Sequence, residues 1–315
     1  MTRRNLLAYM AGAAAAVCPA GTTTQTSGKQ GRRRFRFDPN DKHNHIGVST
    51  WSFRNYFQAT RERDFNLTGG ALVLLDFPEM IADRYEVHNL EFVAPHFASK
   101  EPTYIQEVKL KLQNAHSRLV NIPVDIPEIW NEGGLSDPRE RVRNAAIMGS
   151  KNWIDIAKDL GVPSVRCDPG RINAEDLAPT IDSYRKLAAY GRSKGVAVMI
   201  ENHGGVGSEH PEELIEIFKE VGGSFVGALP DFGNFPDEET RLRGLALLFP
   251  YARTVCHAKG LDLDSAGNET RFDFRRCMEI SKQAKFKGVY SIEYEGPADA
   301  YLGVQEVVNE LLRLM

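Results

Sequence analysis

From residue 45 onward the sequence alternates short apolar runs with longer amphipathic stretches, and it does so eight times. No other feature constrains the fold as strongly. Parallel strands need a crossover of about a dozen residues between them, so a strand–helix repeat leads to a parallel sheet covered by helices, open or closed on itself. The strand-like runs are 46–53, 86–92, 118–124, 164–167, 197–202, 226–229, 253–257 and 289–294. Helical spacing is clearest over 139–160, 176–193, 211–221 and 272–286. Asp137-Pro138 can cap and open the first of these, and Gly161, Gly195 and Gly222 follow helix ends. An open doubly wound sheet competes, but no glycine-rich phosphate turn follows the first strand. The expectation is one α/β domain over 45–315, a single closed (β/α)₈ barrel, an architecture of roughly 250 residues that a chain of 315 can accommodate.

Such a barrel places its chemistry at the C-terminal ends of its strands. Reading those ends gives Trp51, Glu91, Asn121, Arg166 with Asp168, Glu201 with His203, Asp231, His257 with Lys259, and Glu293 with Glu295. Four stand out, on the last four strands: Glu201 in Met199-Ile200-Glu201-Asn202, Asp231 in Leu229-Pro230-Asp231, His257 in Cys256-His257-Ala258-Lys259, and Glu293 in Ser291-Ile292-Glu293. Strand periodicity puts Met199, Leu229, Val255 and Ser291 in the same inward phase as these residues. Taken singly, a carboxylate at a strand end can be a helix N-cap and a histidine a hydrogen-bonded core residue. Together, inward carboxylates this close repel one another unless a cation neutralises them. Three carboxylates and one imidazole suit Mn²⁺ best, with Mg²⁺ or Co²⁺ as alternatives. His203, Lys259, Trp51, Glu91, Arg166 and Asn234 are read as groups that touch substrate. Against this, Trp51 and Phe53 can equally be core, and Arg166 with Asp168 can be a buried ion pair. His96 is a weaker candidate.

The order Glu, Asp, His, Glu at these gaps, within 45–315, resembles the xylose isomerase-like barrel superfamily and, within it, the sugar phosphate isomerase/epimerases, which include ketose 3-epimerases and hydroxypyruvate isomerase. The resemblance implies that Glu201 and Glu293 both bind the metal and act as an acid/base pair, with Asp231 and His257 as ligands alone. It implies isomerisation or epimerisation of a keto or aldo sugar through an enediolate. The sequence departs from the ketose 3-epimerases at three substrate positions: Asn234 stands where they carry a histidine, Leu263 where they carry an arginine, and Gly207 where they carry a glutamate. Barrels similar to this one also act on inososes and keto-glycosides, so a 3-keto-glycoside lyase or dehydratase using the same site is the alternative. Apurinic-site endonucleases share the barrel but use many more histidines and a basic surface; eight histidines and a net charge of −3 oppose that reading and give no reason to expect nucleic acid. A non-catalytic sugar-binding barrel is a further reading.

The N-terminus reads as a signal peptide over 1–20. Arg3-Arg4 resembles a twin-arginine motif, and the alanine-rich apolar stretch behind it is too short to span a bilayer. This predicts export to the periplasm, with no stable membrane span after cleavage. Cys18 offers a lipidation site, though Val17 before it fits poorly. Residues 21–44 read as a linker, and Arg32-Arg33-Arg34 within it as a solvated run. Without Cys18 three cysteines remain, with no paired spacing, and Cys167 and Cys256 lie in apolar runs as buried thiols. Export favours unphosphorylated sugars or glycosides as substrates. The sequence leaves homo-oligomerisation open.

Overall fold

Ile46–Ser49 forms the first strand, β1, and all four of its residues are buried, as expected of a parallel strand covered on both faces. The computed structural model to which it belongs describes residues 38, 40–67 and 69–315. The signal peptide, Cys18, Arg32-Arg33-Arg34 and residues 21–37 of the linker lie outside the described residues.

Seven strands follow: β2 (Asn89–Glu91), β3 (Arg118–Pro123), β4 (Ser164–Arg166), β5 (Ala197–Glu201), β6 (Val226–Leu229), β7 (Val255–Gly260) and β8 (Val289–Tyr294). They pair in parallel in the order β6-β5-β4-β3-β2-β1-β8-β7. Between β6 and β7 the ladder gives way to two isolated parallel bridges, Ala228 with Ala252 and Asp231 with His257. There the His257 N–H donates to Pro230 O at 2.8 Å and the Phe232 N–H to His257 O at 3.2 Å. These bonds draw the curled sheet into a ring, and its seam lies at two of the four residues singled out above.

Helices cover the outside: α1 (Phe77–Tyr85), α2 (Pro102–Asn114), α3 (Pro127–Trp130), α4 (Glu140–Leu160), α5 (Ala178–Lys194), α6 (Pro211–Val221), α7 (Glu238–Leu248), α8 (Phe274–Gln283) and α9 (Ala300–Leu314). In α4, Val142, Ala146, Ile147, Trp153, Ile154, Ala157 and Leu160 form one buried stripe at three- and four-residue spacing. Gly161 ends α4 with φ at 74°, in the left-handed region, its N–H returning to Ala157 O. Among the described residues, no helix is long and apolar enough to cross a membrane.

Two apolar cores result. The larger lies between sheet and helices. The smaller fills the barrel with Val120, Ala197, Met199, Leu229, Val255 and Val289, so the inward phase expected for Met199, Leu229 and Val255 holds. Cys167, Cys256 and Cys277 are all buried free thiols.

Three strand boundaries differ from the sequence reading by three residues or more. β1 stops at Ser49, whose Oγ accepts the Trp51 N–H at 3.2 Å and opens a 3₁₀ turn over Thr50–Tyr56. Trp51 therefore sits on a turn. Phe53, expected either to cover a sugar or to fill core, fills core: it is 0% exposed and packs edge-on against Phe77 and Tyr301, at 5.5 and 5.0 Å. Glu86 is not strand but the left-handed end of α1, with φ at 56°. Conversely, β7 runs on to Gly260 and carries Lys259 within it.

Candidate metal centre

The ends of β5 and β8 and the seam between β6 and β7 bring four side chains to one place. Glu201, Asp231, His257 and Glu293 are all buried, and each offers one ligand atom within 4.8 Å of the others. Around His257 Nδ1 lie Glu201 Oε1 at 2.9 Å, Glu293 Oε2 at 3.4 Å and Asp231 Oδ2 at 3.5 Å. Local backbone fixes Asp231: its Oδ1 accepts the N–H groups of Gly233 and Asn234, and Asn202 clasps its peptide from both sides at 2.8 and 3.0 Å. Its other oxygen, Oδ2, is buried with no aligned hydrogen bond and faces Lys259 Nζ at 3.1 Å.

The surrounding charges are unbalanced. Glu91, Asp125, Asp168 and Glu295 join the three clustered carboxylates, whereas Arg166 and Lys259 are the permanent cations among them. Burial pushes the Glu293 carboxyl up to about 7, with Glu201 and Glu91 adding to the rise against His257 and Lys259. Burial opposes the charge on His257, yet Glu293, Glu201 and Glu91 hold its imidazole well above the usual range. The His257 rise reports the negative charge gathered round its ring, whereas the Glu293 rise is chiefly burial. A divalent cation would answer that charge. Donors on opposite sides of a Mg²⁺-sized ion stand about 4.2 Å apart, and ligand atoms all within 4.8 Å of one another are on that scale. The oxygen-rich donors and the charge excess fit such an ion.

The remaining predicted residues divide by depth. Lys259 Nζ reaches Glu293 at 2.7 Å, Glu295 at 2.8 Å and Asp231 at 3.1 Å, against the cluster itself. Trp51 is half-buried and donates through Nε1 to the same Glu295 oxygen at 2.9 Å. Asn234 donates to Glu201 Oε1 at 3.1 Å. His203, also half-buried, lies 3.6 Å from Asp168; burial works against its charge, but Asp168 and Glu201 hold it up to about 9. Two further residues lie deep among carboxylates and polar partners. Arg166 is buried and committed to carboxylates, to Asp168 at 2.6 Å, Glu201 at 2.8 Å and both oxygens of Asp125 at 2.7 and 2.8 Å, so it braces Glu201 from behind. Glu91 is 0% exposed and lies below the cluster, 3.1 Å from His257 Nε2, where substrate has no access. His96 is core as well, stacked on Phe57 at 3.9 Å and bonded to Thr60.

Sequence reasoning missed Asp125, Ser49 and Trp130. Asp125 follows the apolar run of β3 and carries the same signal as Glu201. Ser49 donates to Glu293 Oε1 at 3.3 Å. Trp130 ends α3, 39% exposed, with its ring 5.5 Å from that of His203 and its Nε1 3.3 Å from Asp125. No pattern marked the latter two.

The family described as xylose isomerase-like TIM barrel matches residues 84–313. No curated protein matches the chain in sequence. Among solved structures, the chain is similar to a D-psicose 3-epimerase with D-tagatose from Clostridium cellulolyticum H10, at 15% identity and a TM-score of 0.66, over 86% of this chain and 99% of that one. It is similar to a xylose isomerase-like TIM barrel protein from Mycobacterium smegmatis in complex with magnesium, at 15% identity and a TM-score of 0.61, over 87% and 99%. It is also similar to a 3-keto-D-glucoside 4-epimerase from E. coli, at 15% identity and a TM-score of 0.62, over 86% and 99%. At such identities these likenesses speak to the fold.

Proposed function

The chain belongs to the xylose isomerase-like TIM barrel family, and we propose that it is a divalent-metal-dependent sugar isomerase or epimerase. One observation carries the reading: two glutamates, Glu201 and Glu293, approach the same imidazole nitrogen from different strands, at 2.9 and 3.4 Å, beside a buried aspartate. Glu201, Asp231, His257 and Glu293 would hold the ion, Mn²⁺ by preference with Mg²⁺ or Co²⁺ as alternatives. When bound, it would polarise the sugar carbonyl and acidify the neighbouring C–H.

The two glutamates then divide the proton transfer. One takes the proton from the carbon beside the carbonyl, and the C–H electron pair moves into the carbonyl to give an enediolate. The other returns a proton, to the opposite face for epimerisation, or to the former carbonyl carbon for isomerisation, in which the hydroxyl proton passes to the former carbonyl oxygen. Arg166 and Asn234 hold Glu201 at 2.8 and 3.1 Å, which fixes its approach. Trp51, Lys259, Glu295 and His203 form the rim that would orient hydroxyls. Lys259 and Arg166 are each engaged by three carboxylates, which supports an unphosphorylated sugar or glycoside over a sugar phosphate.

A lyase acting on 3-keto-glycosides is the second reading. Its support is at Gly207, where ketose 3-epimerases carry a glutamate: φ is +65° and a Cβ would lie 2.5 Å from Leu214, so no side chain fits. Asn234, at another of their substrate positions, is occupied with Glu201. The test is incubation of the Mn²⁺-loaded protein in D₂O with ketohexoses and 3-keto-glucosides, followed by NMR. Deuterium beside the carbonyl with a new epimer or isomer is expected. Aglycone release without stereochemical change would assign the lyase, and no exchange across the panel would overturn both. We further propose that Arg3-Arg4 directs export to the periplasm; a doubly lysine-substituted chain should stay in the cytoplasmic fraction, and its normal export would refute this.

A further inference from the structure

Glu91 ends β2 but never reaches the mouth of the barrel. Its Oε2 lies 3.1 Å from His257 Nε2 and accepts from Ser291 Oγ at 2.7 Å, while its Oε1 accepts from Asn121 Nδ2 at 2.7 Å. The opposite nitrogen of the same ring, Nδ1, faces Glu201, Asp231 and Glu293. A neutral imidazole carries one N–H and one lone pair, so whichever nitrogen keeps the proton decides which one can bind a cation. An ionised carboxylate only accepts. Beside Glu91, the proton therefore belongs on Nε2.

We propose that Glu91 is a positioning residue: it fixes His257 with its proton on Nε2 and its Nδ1 lone pair directed at the divalent cation. The inference rests on the metal reading above and adds to it the group that prepares the imidazole.

Glu91 is itself held from below. Asn121 Oδ1 accepts from Ser164 Oγ at 2.9 Å, and Ser164 Oγ shares a 2.8 Å hydrogen bond with Thr254 Oγ1. A line of side-chain hydrogen bonds thus runs from Thr254 through Ser164, Asn121 and Glu91 to His257, inside a barrel otherwise packed with Val120, Met199, Leu229 and Val255. Burying polar groups in apolar surroundings is costly unless each finds a partner, and here each does. The backbone completes the arrangement, since the His257 peptide is bonded on both sides across the seam. With its peptide and its far nitrogen both tied, the ring is left with one orientation. Partners behind a metal-bound histidine are typically worth about 10- to 100-fold in metal affinity.

The experiment pairs Mn²⁺ titration calorimetry with ¹⁵N NMR of histidine-labelled protein, metal-free and loaded with diamagnetic Mg²⁺, for wild type and Glu91→Gln. The substitution keeps the shape and an accepting oxygen but removes the charge. The expected results are a wild-type Nε2 proton far downfield and slow to exchange, an upfield shift of that proton in E91Q, and Mn²⁺ binding about 10- to 100-fold weaker. With Mg²⁺ bound, a wild-type Nε2 without a proton, or E91Q binding Mn²⁺ as tightly as wild type, would overturn the proposal. If E91Q does not fold, the wild-type spectrum still decides. If wild type binds no Mn²⁺, the metal reading falls, while the Nε2 proton independently shows whether Glu91 holds the ring.

Discussion

Arg166 meets Asp125, Asp168 and Glu201 in a fixed fork of hydrogen bonds, with 7% of its own side chain exposed. Burial opposes its charge, and the carboxylates of Asp125, Asp168 and Glu201 more than restore it, holding the guanidinium well above its usual range. Removing one partner from such a buried set leaves the others uncompensated. Arg166→Met should therefore lose about 3–5 kcal/mol in urea unfolding, and Arg166→Lys should recover only part of that, because an ammonium cannot reproduce the fork. A loss under about 1 kcal/mol would mean that the carboxylates find other partners. Residues of this kind mark the limit of sequence reading. Strand alternation states which side chains point inward, and it brought Glu201, Asp231, His257 and Glu293 together. It does not state depth, so Glu91 and Arg166, inward but below or behind the cluster, read as rim residues. Asn234 was legible only as a difference from a resembling family, not as a brace on Glu201.

Among the elements, α9 packs one acid where solvent is scarce. Glu310 is 6% exposed and points at the loop after β7, where its Oε2 accepts the Glu269 N–H at 3.4 Å. Glu269 already accepts from Leu261 and Arg271 backbone N–H groups at 2.6 and 2.8 Å. Burial, with the Glu269 carboxylate adding, pushes Glu310 up to about 7. Because the folded state holds this proton more tightly than the unfolded chain, whose carboxyl titrates at about 4.3, the contribution is complete below that value and is lost as pH rises through about 7. Glu310→Gln should melt at a higher temperature than wild type at about pH 8, and the gap should close near about pH 4.5. A gap constant across that range would rule the effect out. The element boundaries were legible where chemistry is local: glycines after α4 and α5, and proline at the start of α6. They were misread where a side chain intervenes, as when the Ser49 hydroxyl turns β1 into a 3₁₀ turn before Trp51.

For the whole molecule, the eightfold alternation left one architecture, and its closure was the part no local pattern announced. β6 and β7 meet through single bridges, one of them joining Asp231 to His257. A cation held there binds the folded chain and not the unfolded one. At about 100 times its dissociation constant it should add about 2.7 kcal/mol, a rise of roughly 4–5 °C in melting temperature for a chain of this size, reversed by EDTA. No shift at saturating Mn²⁺ would leave the cluster without a thermodynamic role as a metal site. The seam also carries a design consequence. Where the hoop is least fastened by backbone is where its grip on an ion must be set to fractions of an ångström, so cofactor capture and mechanical closure are one adjustment. A substitution that re-spaces the pocket on that flank re-cuts the hoop, whereas the opposite arc, paired strand to strand, leaves the mouth free to change its clientele.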